Sequence, residues 1–79
     1  MPHYFFDIDA NGDHTHDEVG LPFTSKVQFR KAAIATLPAL ALQDRNADGS
    51  NRNYSISVRD ERDQVVYTAT LTFVDAFHH

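Results

Sequence analysis

The residues whose types and spacing most directly suggest chemistry lie near the amino end, in residues 7–18. They match the calcium-loop signature D-x-[DN]-x-[DN]-G-x5-E at Asp7, Asp9, Asn11, Gly12 and Glu18, where oxygen ligands would surround the ion. The same segment contains Asn-Gly, the dipeptide most typical of a two-residue β-hairpin turn. A calcium loop is flanked by helices and a hairpin by strands, so the two structures exclude each other.

The flanking residues favour the hairpin. Tyr4, Phe6 and Ile8 recur at every second position, which is the period of a strand. After Glu18, the segment 19–22 contains glycine and proline and would break an exiting helix. The sequence therefore predicts strand, turn and strand, with calcium binding as the alternative. The expected cross-strand partners are Ile8 with Thr15, Phe6 with Asp17, and Tyr4 with Val19.

The hairpin register creates a second candidate metal site. Asp7, Asp9, His14 and His16 would share one face of the hairpin, and their carboxylates and imidazoles are ligand types suited to zinc, nickel or copper. Side chains alternate along any polar strand, so the same residues could instead form two cross-strand Asp–His pairs on a solvated face. Both interpretations are open at the level of sequence.

The next segment predicts one helix from Ser25 to about Gln43. Ser25 and Gln28 have the spacing of a capping box, and apolar residues then recur at helical spacing. Pro38 either kinks this helix or ends it near Leu37. The residues expected on the apolar side are Val27, Phe29, Ala33, Ile34, Leu37, Leu40 and Ala41.

The remainder of the chain predicts a loop and a second hairpin. Residues 43–53 are polar throughout apart from Ala47, which is typical of a loop. Residues 54–58 and 65–73 alternate in the manner of strands, and Asp60–Asp63 turns the chain between them. The order ββαββ predicts one two-layer α+β domain over residues 1–79, with a four-stranded antiparallel sheet and the helix packed on one face.

Two charged residues fall in unexpected positions within this fold. The register directs Asp17 toward the helix-covered face, and Arg30 lies within the apolar arc of the helix. A charge in such a position needs a partner. The sequence therefore predicts a structural Asp17–Arg30 ion pair.

Composition excludes several classes of function. The chain has no cysteine, and therefore no disulfide or thiolate site. Its net charge of −4 disfavours nucleic acid, and the apolar stretch 32–42 is too short for a membrane span of about 20 residues. Met1–Tyr4 lacks a basic region leading into an apolar one, so we expect no secretory signal and a cytoplasmic location.

Ser50, Ser55 and Ser57 lack a neighbouring histidine supported by a carboxylate, so we expect neither enzymatic activity nor a cofactor.

Several short motifs together carry a family resemblance. They are Pro2, Tyr4-Phe5-Phe6-Asp7-Ile8, Asp17-Glu18, Gly20, Arg30 and Val58-Arg59-Asp60-Glu61. This set resembles a family of short uncharacterised bacterial proteins, common in soil proteobacteria, that open with a P-x-Y-F-F-D segment and carry V-R-D-E near the end. The resemblance spans nearly the whole chain and implies a domain of unknown function, without assigned activity, cofactor or catalytic residues. The full calcium ligand set and Pro38 depart from the family pattern.

The function that these observations favour is that of a small cytoplasmic, non-enzymatic protein-interaction or regulatory module. Its partner would be another protein or a second copy in a homodimer, because an outer sheet face bearing Phe5, Val66 and several threonines leaves surface to cover. The alternative is a metal-binding protein that uses the Asp/His hairpin face or the calcium-like loop.

Overall fold

The computed structural model describes residues 2–44 and 51–78, which form an antiparallel sheet with one helix against one face. The order along the sheet is β2-β1-β4-β5, and the short β3 also pairs with β1. The predicted two-layer α+β fold is confirmed, with five strands in place of four. The elements are β1 (His3–Ala10), β2 (Asp13–Thr15), β3 (Leu21–Pro22), α1 (Lys26–Gln43), β4 (Asn51–Arg59) and β5 (Val65–Val74).

The first hairpin turns at Asn11 and Gly12, as predicted. Both residues have positive φ angles, 52° and 101°, which a two-residue turn of this kind requires. Ile8 lies opposite Thr15, and Asp9 lies opposite His14. Strands on both sides of this turn replace the helices of a calcium loop, so the calcium interpretation of residues 7–18 is wrong.

Beyond Thr15 the predicted register is wrong. Tyr4 pairs with Leu21 rather than with Val19. Moving from Ile8 to Tyr4 covers four positions of β1, whereas moving from Thr15 to Leu21 covers six on the returning chain. The two additional residues split the expected second strand into β2 and β3. The segment between these strands includes Gly20, whose φ of 74° departs from strand geometry.

The helix begins as predicted. Ser25 Oγ accepts a hydrogen bond from the backbone N–H of Gln28 at 3.4 Å. The side chain of Gln28 reaches back one residue further than a capping box requires, because its Oε1 accepts from the N–H of Thr24 at 2.8 Å. The Ser25 contact satisfies one of the donors that the first turn of a helix leaves without partners, and the Gln28 contact holds the residue before the cap.

Pro38 does not end the helix, which continues to Gln43. Proline has no N–H to donate to the carbonyl of Ile34, four residues earlier. Two residues before this gap, Thr36 Oγ1 donates to the carbonyl of Ala32 at 2.7 Å, a contact that commonly bends helices. No helix in the described ranges is long and apolar enough to cross a membrane.

The core lies between α1 and β4. It contains Phe29, Ala33 and Leu37 from the helix, and alternate residues of β4 complete it: Tyr54, Ile56 and Val58. The predicted apolar arc is therefore only partly buried, since Val27 is 60% and Ile34 44% exposed. Of the predicted loop 43–53, residues 45–50 lie outside the described part of the chain.

The second hairpin matches its prediction. Ile56 lies opposite Ala69 in a ladder that joins the full lengths of β4 and β5, with an irregularity beside Arg59. The turn at Asp60–Asp63 is closed by Asp60 Oδ1, which accepts from the N–H groups of Arg62 and Gln64 at 2.9 and 3.0 Å.

Replacing Gly20 with Ala should destabilise the protein more than the same change at Gly12. Both glycines have positive φ, but a Cβ at Gly20 would lie 2.8 Å from a ring carbon of Phe5, whereas one at Gly12 would meet nothing within 4 Å. We expect thermal unfolding followed by circular dichroism to show a loss of roughly 10–15 °C for Gly20→Ala and about half that for Gly12→Ala. Equal losses of Tm in the two variants would contradict the steric crowding of Gly20 by Phe5.

Candidate functional site

The main polar cluster of the described residues surrounds Arg59, at the end of β4. Its guanidinium binds Asp7 of β1 through two hydrogen bonds, from Nε to Oδ2 at 2.6 Å and from Nη2 to Oδ1 at 3.1 Å. Each side chain is only 12% exposed. Asp7 alternates with Phe6 and Ile8, which pack on the core, so this pair lies on the sheet face opposite α1. Two-pronged pairing of this kind gives both energy and fixed geometry.

The remaining donors of Arg59 connect it to two further segments. Nη1 donates to Asp63 Oδ1 in the second turn at 2.6 Å. Nη2 donates to the backbone carbonyl of Asp17 at 2.8 Å and lies 3.3 Å from His16 Nε2. The guanidinium carbon also lies 5.1 Å from the ring centre of Phe5, within cation–π range. One side chain thus joins β1, the segment after β2 and the turn before β5.

Asp17 fills the gap between β2 and β3. Its carboxylate accepts from the backbone N–H of Phe6 at 3.0 Å, in place of a strand partner. It also accepts from the N–H groups of Val19 and Gly20 at 3.0 and 3.1 Å. The N–H of Asp17 itself donates to Asp7 Oδ1 at 3.0 Å. A side chain here performs the hydrogen bonding that the interrupted ladder cannot.

The predicted Asp17–Arg30 pair is wrong. Arg30 is exposed on α1, and none of the ion pairs among the described residues joins it to Asp17. The reason is the register shift after Thr15, which places the Asp17 carboxylate against the backbone at the edge of β1. The arginine that matters is Arg59, which the V-R-D-E motif contains but which the helical pattern could not indicate.

The hydrogen bonds of this cluster change the acidity of both carboxyls. Burial by itself would raise the pKa of Asp7, but the bonds from Arg59 and from the N–H of Asp17 outweigh it, so this pKa lies below its ordinary value. The pKa of Asp17 is likewise lowered, because three backbone N–H bonds outweigh burial and the nearby charge of Asp7. The bond to Asp7 raises the pKa of Arg59 further above its normally high value.

The predicted metal-site residues form two pairs rather than one site. His14 Nδ1 lies 2.9 Å from Asp9 Oδ1, and His16 Nδ1 lies 3.3 Å from Asp7 Oδ1. The same Asp7 is already bound by Arg59, whose positive charge would repel a cation. No group of three or more His, Asp or Glu side chains within residues 2–44 and 51–78 could hold a metal ion. Ser50 and His79 lie outside these ranges.

A second candidate is the free edge of the sheet along β5, which sequence reasoning did not identify. β5 is the last strand in the sheet order. The N–H of Asn11 donates to the carbonyl of Asn53 at 2.7 Å, so the backbone of Asn53 faces β1. Alternation then turns the backbone of Ile56 toward β5 and that of its partner Ala69 toward β4. In the middle of β5, the backbone groups left facing outward belong to Thr68, Thr70 and Thr72.

An apolar groove lies beside this edge, between β5 and α1. It has a volume of about 250 Å³. Helix residues form one wall and strand residues the other: Ile34, Leu37, Pro38, Ala69, Thr70 and Leu71. Grooves that combine apolar walls with nearby backbone donors and acceptors are suited to binding extended polypeptide.

Replacing Arg59 with Ala should lower the Tm by roughly 10 °C or more, because it leaves Asp7 buried without its charge partner. Arg59→Lys should recover only part of this loss, since an ammonium cannot reproduce the planar fork. The matched control is Arg30→Ala, an exposed arginine whose loss should shift the Tm by no more than about 3 °C. Similar losses for both Ala variants in thermal unfolding would contradict the assignment.

The stability of the protein should also depend on pH through the ionisation of the Asp7 carboxyl. A lowered folded-state pKa means that the stabilisation is fully present above the unfolded value, near 3.8, and is lost as the pH falls through the lowered one. We expect the Tm of the unaltered protein to be flat near neutral pH and to fall steeply below about pH 4. The fall should be smaller in Asp7→Asn, which starts from a lower Tm. If the Tm of the unaltered protein and that of Asp7→Asn fall by the same amount between pH 7 and pH 2, the prediction is contradicted.

Comparison with known proteins places the chain in a family. No curated protein and no solved structure matches it. Residues 3–72 match the family described as Domain of unknown function (DUF6894). The match includes the Arg59 cluster, α1 and most of β5, and it agrees with the domain of unknown function that the sequence motifs implied. Because the match covers most of the chain, this protein belongs to the DUF6894 family.

Proposed function

We propose that this protein is a non-enzymatic protein-interaction module that binds an extended strand at the free edge of β5. The observation that carries the proposal is the composition of this edge. Its ten residues, Val65–Val74, include no charged residue, proline or glycine. The outward edge of a strand of this length and composition is a template for further pairing, and soluble proteins normally protect such edges.

The opposite edge of the same sheet has that protection. There β2 and β3 are short, with three and two residues, and Pro22 lacks an N–H to donate. The Asp17 carboxylate caps the N–H of Phe6 between them. These are devices by which proteins prevent edge-to-edge association. The contrast between the two edges supports a binding role for β5.

Exposed apolar side chains extend the proposed binding surface. Val65 and Val74, at the two ends of β5, are 60% and 67% exposed, and Val66 and Phe73 are 44% and 41% exposed. When a strand is added to a sheet edge, the backbone supplies affinity and pockets for alternate side chains supply specificity. The groove between α1 and β5 would serve as such a pocket.

The polar cluster supports a non-enzymatic role. Asp7, Arg59 and Asp17 bind one another and nearby backbone groups, so their charges serve to hold three segments together. We further propose a cytoplasmic setting in a bacterial cell and a regulatory consequence of binding, in keeping with the cysteine-free composition and the motif resemblance.

A synthetic strand tests the proposal. The probe is a peptide of residues 66–74 with two lysines added at each end, and amide hydrogen exchange is measured by NMR on dilute full-length protein. With excess peptide we expect slow exchange at Thr68, Thr70 and Thr72, matching that of Ala69 and Leu71. A peptide N-methylated at alternate residues is the control, because it lacks half of the donors that pairing needs. Fast exchange at all three threonines with excess unmodified peptide would overturn the proposal.

A further inference from the structure

We infer that the strand bound at this edge is β5 of a second copy, in a two-fold dimer centred on Thr70. This inference rests on the proposed function and names its partner. Antiparallel pairing of the two edges would extend each sheet into one continuous sheet across the dimer. Four features of the chain favour a second copy over a different protein.

The first feature is the palindromic chemistry of β5. A two-fold interface requires that residue i contact residue j while j contacts i. Read outward from Thr70, the residues at equal distances match in type. The pairs across the axis would be Ala69 with Leu71, Thr68 with Thr72, Tyr67 with Phe73, and Val66 with Val74. A strand selected only to pair with β4 has no need for this symmetry.

The second feature is the direction of the backbone groups. Thr70 presents its N–H and C=O outward, as derived from the contact of Asn11 with Asn53. Two copies of Thr70 could therefore exchange both hydrogen bonds, and Thr68 of each copy could do the same with Thr72 of the other. Thr–Thr pairs directly opposite each other are favourable cross-strand neighbours.

The third feature is the fit of the side chains on the helix side. Ala69 would lie opposite Leu71 of the second copy in a non-hydrogen-bonded pair, where side chains approach closely. A small residue then meets a large one on each side of the axis. Directly opposed residues point to the same face, so both copies of α1 would lie on one side of the joined sheet. The two apolar grooves, each lined by Leu37 and Pro38, would flank this seam.

The fourth feature is the charge of the strand. The chain carries a net charge of −4 that would oppose self-association, but none of this charge lies in β5.

Single cysteines test the inference, because the chain has no cysteine of its own. In Thr70→Cys the two Cα atoms would be about 5.5 Å apart, within the range of a disulfide. In Thr68→Cys alone, the two cysteine Cα atoms would be offset along the strands by four residues, or about 13 Å. We expect mild oxidation to cross-link most of Thr70→Cys as a dimer and little of Thr68→Cys or Thr72→Cys. An equimolar mixture of these last two variants should cross-link as a heterodimer.

The mass of the unaltered protein, measured by size-exclusion chromatography with light scattering at about 100 μM, is the second readout and is expected to be that of a dimer. Thr70→Lys should be monomeric, because two ammonium groups would meet at the axis, while Thr70→Ala should stay dimeric. Circular dichroism confirms that each variant is folded.

A monomeric mass with no Thr70→Cys cross-link overturns the self-pairing. Should the synthetic peptide still protect the edge amides, the proposed function stands with a different partner.

Discussion

The contact on which the rest of this structure depends is the binding of Asp7 by Arg59. It joins the first strand of the sheet to the end of its most buried strand, across 52 positions of sequence. The same guanidinium fixes the segment after β2 through a backbone carbonyl and the second turn through Asp63. Three segments of the chain therefore share one anchor. The low exposure of both side chains strengthens the interaction, because water competes less for the charges.

This anchor explains why the two edges of the sheet differ. Around it, the chain leaves the ladder and closes one edge with Asp17, two short strands and a proline. The opposite edge is a regular ten-residue strand, and no strand within residues 2–44 and 51–78 pairs with its outward side. A small domain buries a limited share of its surface, and an uncovered edge is the place where it can gain more by pairing. This contrast between the two edges is what the proposed association at β5 rests on.

Much of the fold follows from patterns within single segments. The alternation in β1, β4 and β5, the Asn11–Gly12 turn and the Ser25 cap each predicted the element observed, because each depends on residues close in sequence. The apolar arc of α1 was predicted less well. Ile34 lies at the free edge instead of under neighbouring residues, and only the sheet order reveals this. The metal-site residues formed the two cross-strand Asp–His pairs that the hairpin register allowed.

The sequence by itself determined the element types, the turn positions and the fold class, since the hydrophobic period and local backbone preferences act over a few residues. It also contained the near-palindrome of β5, although that symmetry has meaning only for a strand with a free edge. Tertiary structure decided the split of the second strand, the partner of Asp17, the choice of Arg59 over Arg30 and the position of β5 at the end of the sheet. These features depend on which distant strands pair and in what register. Such pairing is settled by the energy of the whole assembled sheet and core.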